Sequence, residues 1–244
     1  MSETVAVELT TVLAELLADA RAAFDSDLLS VVLFGSAAEG RWRPSSDVNL
    51  LFLLARFDPP RIDAFRSSLR AAHAALRIEA MFLLKEELPV AVELFALKFS
   101  DMATRHRVLF GPDPLTGITI DETDLRRRLR EVLLNLALRL RSRYALVSQR
   151  EEQLAKTVAD TAGPLRAAAG ALLRLRGDSA VTPREALERL TAEIGEEEIL
   201  AAVGLLPQAR QDLYLPAGTG KSALLALARL AGHLRRKLEQ GSAA

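Results

Sequence analysis

The stretch VVLFGSAAEGRWRPSSDVNLLFLL, residues 31–54, decides the fold. Two apolar runs, each of a length suited to a buried strand, enclose a Gly-Ser turn and the sequence Ser46-Asp47-Val48-Asn49. The first run ends at Phe34. Gly35 then permits a tight turn with close backbone approach, and Ser36 caps a short helix while exposing its hydroxyl and the neighbouring N–H groups. Together they form a cradle for phosphate. Gly40 gives the chain a second loose point, and Arg41 and Arg43 bring positive charge beside a bound anion. Ser45 and Ser46 lead into the second run, where Asp47 and Asn49 share a face because side chains alternate with period two. Two oxygen ligands next to a phosphate cradle suggest Mg²⁺ carrying the phosphates of a nucleotide. Singly, Gly-Ser at a strand end or Asp at a strand start is ordinary turn chemistry. The combination carries the reading.

Outward from this stretch, β-rich runs continue at 77–84, 94–99 and 107–111. The segment DPPRIDAFRSSLRAAHAAL, 58–76, opens with proline where a first helical turn tolerates it and places Ile62, Phe65, Leu69 and Ala72 on one stripe. Residues 3–24 repeat Val5, Leu9, Val12, Leu13, Leu16 and Leu17 at helical spacing. Beyond residue 120 the strand signal gives way to Leu, Ala and Arg. Asp121 to Asp124 offer N-caps for a long helix, with interruptions expected at Gly163-Pro164, 176–183, 193–195 and 214–220. The fold class is α+β: a mixed sheet with flanking helices over 1–118, then an all-α bundle of four or five helices over 119–244.

Composition sets bounds on function. The 244 residues are 50% hydrophobic, ample for a core, and Lys+Arg and Asp+Glu balance at 32 each. No global basic field exists to hold a nucleic acid, so no extended nucleic-acid surface is expected. Without cysteine the chain has no disulfide, thiol nucleophile or Cys-ligated zinc. The N-terminus lacks a basic n-region and no apolar run approaches bilayer length, so the expected location is cytoplasmic with no membrane partner. Oligomeric state is left open.

The opening stretch resembles the nucleotidyltransferases of the DNA polymerase β superfamily, in particular small bacterial members related to aminoglycoside (kanamycin) nucleotidyltransferases. Their signature is Gly-Ser, ten residues, then Asp-x-Asp in a hydrophobic strand, with a third carboxylate on a later strand. Here Gly35-Ser36 precedes Asp47-Val48-Asn49 at that spacing, and RVLFGPDP, 107–114, resembles the hydrophobic-Gly-x-Asp-Pro segment that closes such domains. For the third carboxylate, Glu79 in LRIEAMFL is chosen: if Ile78 and Ala80 face the core, it faces Asp47 across the sheet. Its plain alternative is an edge-strand charge turned to solvent, and Glu93 and Asp101 are weaker candidates. The resemblance implies attack of an acceptor hydroxyl on the α-phosphorus of a nucleoside triphosphate, ATP by expectation, with release of pyrophosphate. Asp47 and Glu79 would be catalytic, and Asp47, Asn49 and Glu79 would hold Mg²⁺ or Mn²⁺. Gly35, Ser36, Gly40, Arg41, Arg43 and Ser46 would bind the nucleotide.

Two departures cut against activity. Asn49 stands where the second acid is expected, and at an effective dielectric of about 20 one charge at ~2–3 Å is worth several kcal/mol. Glu39 stands where many relatives carry arginine, and would repel a triphosphate unless it turns away. The alternative is therefore a catalytically impaired pseudoenzyme that binds a nucleotide or a protein partner. Two other signals are set aside. LPAGTGKSALLAL, 215–227, lacks the first P-loop glycine, Leu215 standing in its place, and reads as a loop opening the last helix. Arg229 and His233 are one residue too close for the Arg-x₄₋₆-His pattern of HEPN-type ribonucleases; Arg66 and His73 satisfy it on a helix far from the motif.

Overall fold

The computed structural model describes residues 3–42, 46–178 and 181–240. The chain forms two compact units, 1–120 and 121–244. The first is built on a four-stranded sheet: β1 (Leu28–Phe34), β2 (Val48–Leu54), β3 (Ile78–Leu84) and β4 (His106–Phe110), in the order β3-β2-β1-β4. β1 pairs antiparallel with β2 and β4, whereas β2 and β3 run parallel, joined by a helical crossover.

The central strands are almost continuously apolar because both faces are covered. On one face Val31, Leu33, Leu50, Phe52 and Leu54 pack with Leu9, Leu13, Leu16 and Phe24 of α1 (Glu3–Phe24) and Phe65 and Leu76 of α2 (Pro59–Leu76). Phe52 stacks on Phe82 at 5.1 Å and meets Phe65 edge-on at 5.7 Å, which ties β2, β3 and α2 together. On the other face Val32, Phe34, Leu51, Leu53 and Leu83 pack with Ala91 of α3 (Leu88–Leu94) and Phe99 and Met102 of α4 (Ala96–Thr104).

The strand expected over 94–99 is helical. Its alternation of apolar residues imitates a strand, yet the buried set Ala96, Phe99, Ser100 and Met102 follows helical spacing, which continues into α4. The corner after β4 is held by Asp113, which accepts from the Leu115 amide at 2.9 Å and the Thr116 hydroxyl at 3.1 Å and faces His106 Nε2 at 3.1 Å. Burial pushes this carboxyl up, but the hydrogen bonds from Leu115, His106 and Thr116 outweigh it and hold it below the usual carboxylate range.

The second unit is helical throughout its described elements: α5 (Glu122–Val147), α6 (Glu151–Leu175), α7 (Pro183–Ile194), α8 (Glu197–Asp212) and α9 (Thr219–Gln240). Asp121 caps α5 by accepting from the amides of Thr123 and Asp124. The interruption expected at Gly163-Pro164 does not occur. α6 runs through Pro164, because Thr161, Ala162, Leu165, Ala168 and Ala169 are all buried and their packing outweighs one missing amide, a loss of about 3 kcal/mol. No described helix is long and apolar enough to cross a membrane.

Candidate nucleotide site

β1 delivers the chain into a single 3₁₀ turn, Gly35–Ala37. Gly35 has φ +78°, and a Cβ there would stand 3.7 Å from the side-chain nitrogen Nδ2 of Asn49. The Gly-Ser turn and the head of β2 therefore adjoin. The turn is anchored from α4: the Gly35 amide donates to the Arg105 carbonyl at 2.9 Å, and the Arg41 amide returns to Ser36 O at 2.9 Å. The amides of Ser36 and Ala37 open the 3₁₀ turn, where a helix supplies no acceptor of its own.

Strand register places the remaining residues. Asn49 pairs with Phe34 on β1 and with Glu79 on β3. Paired residues in a sheet point to the same side, so Asn49 and Glu79 share the face that carries Leu51, Leu53 and Met81. Glu79 is exposed on the sheet's outer strand, while Asn49 is partly covered. Asp47 immediately precedes β2, as Arg77 immediately precedes β3, and Arg77 Nε donates to Asp47 Oδ1 at 2.9 Å. Arg77 caps α2 in the left-handed region, φ 53°, which turns its side chain back toward β2. Arg43 lies outside the described residues.

Glu39 is bound by two arginines. It accepts from Arg105 Nη1 at 3.1 Å and from Arg41, so its charge is neutralised within the turn. Arg41, expected to meet phosphate, is thereby engaged with Glu39. Arg105 also holds Asp101 through Nε at 3.0 Å and through Nη2, which removes Asp101 from the list of metal ligands. Partial burial pulls the Arg105 pKa down, but the carboxylates of Asp101 and Glu39 more than offset this and leave it above its ordinary value. Replacing Arg105 with alanine leaves the partly buried Asp101 carboxylate without its partner and Glu39 with Arg41 alone; a loss of ~1–3 kcal/mol is expected in urea unfolding of the variant. Glu93 is exposed on α3.

Three further residues belong to the site and were not singled out by sequence. Trp42 is 4% exposed, and its indole Nε1 donates to Ser46 O at 2.7 Å, closing the loop between the turn and Asp47. Arg77 is the partner of Asp47. Lys98, on α4, brings its ammonium to 3.4 Å from the Met81 sulfur and 5.5 Å from the Phe34 ring centroid. Phe34 lies on β1 and Met81 on β3, the strands flanking β2, so the ammonium sits over β2 on the face of Asn49. Partial desolvation lowers the Lys98 pKa from the ordinary lysine value. A helical reading of LFALKFSDMA would have found Lys98; the Arg77–Asp47 pair would have followed from aligning two strands that each begin one residue after a charge.

Among the described residues, no three His, Cys, Asp or Glu side chains gather as a metal cage. Asp47, Asn49 and Glu79 bring two carboxylates and a carboxamide to the heads of β2 and β3, oxygen donors of the kind that divalent cations take. A hollow of about 570 Å³ lined by Ala18, Arg21, Asp25, Leu28 and Phe110 lies toward the opposite end of β1 and includes none of these groups. In the bundle Arg229 pairs with Glu196 and Glu198, and His233 Nε2 lies 2.8 Å from a Glu196 carboxylate oxygen, an arrangement of structural contacts.

A mixed four-stranded sheet with flanking helices followed by a helical C-terminal part is the nucleotidyltransferase fold. Among solved structures, the spectinomycin adenyltransferase AAD(9) from Enterococcus faecialis, determined with ATP and spectinomycin, matches with a TM-score of 0.65 and 13% identity, covering 94% of this chain and 99% of that one. No protein-family model matches the sequence, and no curated protein matches it.

Proposed function

We propose that the protein transfers a nucleoside monophosphate, from ATP, to a hydroxyl of a small-molecule or protein acceptor. The observation that carries this reading is the approach of the Gly35 turn to Asn49 beside Glu79, in a chain with the nucleotidyltransferase fold. The acceptor oxygen forms a bond to the α-phosphorus, the bond from that phosphorus to the bridging oxygen breaks, and pyrophosphate leaves. Glu79, exposed on β3, takes the hydroxyl proton. The amides and hydroxyl of the Gly35-Ser36 turn hold the β- and γ-phosphates, with Gly40, Arg41, Arg43 and Ser46 around them. Asp47, Asn49 and Glu79 would hold Mg²⁺, which neutralises charge developing on the phosphates.

AAD(9) pairs ATP with spectinomycin, so a panel of hydroxylated small molecules headed by spectinomycin is the first set of acceptors to supply with labelled ATP and Mg²⁺ or Mn²⁺. Pyrophosphate release and a labelled acceptor support transfer. Nucleotide binding without turnover under all acceptors supports the second reading, a pseudoenzyme, which Asn49 and the Arg77–Asp47 pair favour.

Asn49→Asp tests the metal-binding role of this face. A new carboxylate beside Glu79 is expected to raise Mg²⁺ affinity about tenfold or more in calorimetry with a non-hydrolysable ATP analogue. An unchanged affinity removes β2 from the metal site.

A further inference from the structure

The carboxamide of Asn49 brings no charge to the head of β2, and near it stands one positive charge that no described carboxylate pairs, the Lys98 ammonium. These two facts concern the same place. The ammonium is fixed by contacts on β1 and β3 over the strand between them, on the side-chain face of Asn49. Its neighbours are a phenyl ring and a thioether, which orient a cation without neutralising it. It also remains accessible to solvent, and therefore to a ligand.

We infer that Lys98 is a phosphate ligand of the bound nucleotide, a built-in cation standing in for the second metal ion that Asn49 no longer supports. The inference rests on the nucleotide reading above. Charge accounting favours it: two carboxylates with one divalent ion and one ammonium carry the same net charge as three carboxylates with two divalent ions. A lysine is suited to this as a compact point charge on a flexible stem, a recurrent partner of phosphate oxygens. The lowered pKa of Lys98 agrees, since an under-solvated ammonium gains more from an incoming anion than a fully hydrated one.

The test is ATP binding by calorimetry with EDTA present, so that no metal contributes, on the full chain and its Lys98→Met and Lys98→Arg variants. Methionine keeps the length and packing of the side chain, and Lys98 is exposed, so thermal unfolding should not shift. The expected result is a loss of about tenfold or more in metal-free affinity for Lys98→Met, with most of it regained in Lys98→Arg. Counting bound Mn²⁺ by electron paramagnetic resonance, with a non-hydrolysable ATP analogue, should give one ion in the native complex and two in Asn49→Asp/Lys98→Met. Equal metal-free affinities of native and Lys98→Met proteins, or two ions in the native complex, overturn the role of Lys98 and leave the nucleotide reading standing. Absence of ATP binding by the native protein even with Mg²⁺ overturns both.

Discussion

Asp47→Ala is expected to reduce ATP-dependent pyrophosphate release by at least about 10²-fold while leaving the melting temperature nearly unchanged. Under the proposed function, with Asn49 uncharged, Asp47 is the one anionic group at the head of β2, so its loss would fall on the phosphate-bound metal without compensation. The structural cost is small by comparison. The Asp47–Arg77 pair is exposed, 45% and 61% at the two side chains, and such pairs contribute about 0–1 kcal/mol. Activity and stability therefore separate. Metal-free ATP affinity in the same variant should stay within a few-fold of native, because the turn and Lys98 remain. A variant that keeps native turnover sinks the catalytic role of this strand; one that loses turnover together with its fold shows that Asp47 acts as a structural anchor instead.

Gly111→Ala carries the largest expected effect on stability. The residue has φ +74°, and a Cβ there would lie 2.1 Å from the carbonyl oxygen of Leu29, a contact with backbone that no rotamer change relieves. Either β4 separates from β1 or the corner after Phe110 is rebuilt; in both cases the Ser30 hydroxyl loses the Phe110 carbonyl it donates to at 3.0 Å. A cost of more than about 3 kcal/mol, or failure to accumulate as folded protein, is expected in urea unfolding. A variant unfolding at the native urea concentration contradicts this account of the corner. The glycine lies in the Gly-x-Asp-Pro segment noted in the sequence, and Asp113 in the same segment is bound to Leu115, Thr116 and His106. The segment is thus a fastening for the sheet that carries the site.

What the sequence could disclose followed the range of the forces involved. The strands expected over 28–34, 48–54 and 77–84 were legible because largely apolar runs of that length fit a sheet, but Glu79 was expected opposite Asp47, and the register pairs it with Asn49 instead. Residues 94–99 misled because six residues are too few to separate periods of 2 and 3.6. Gly163-Pro164 misled because a local breaking signal was outweighed by burial along the rest of α6. The cations were hidden for a different reason. Arg77, Lys98 and Arg105 take their meaning from Asp47, Phe34 and Glu39, which lie far off along the chain and close only after the sheet has formed.

The indole of Trp42 has a practical consequence. The chain contains one tryptophan, and it is buried in the loop that runs from the Gly-Ser turn to Asp47, hydrogen-bonded to Ser46. Its intrinsic fluorescence is consequently an unlabelled optical reporter of that loop alone, with no second emitter of its kind elsewhere in the molecule. Ligand titrations followed at its emission band register rearrangement at Trp42 directly, and quenching by acrylamide measures the access of solvent to this indole.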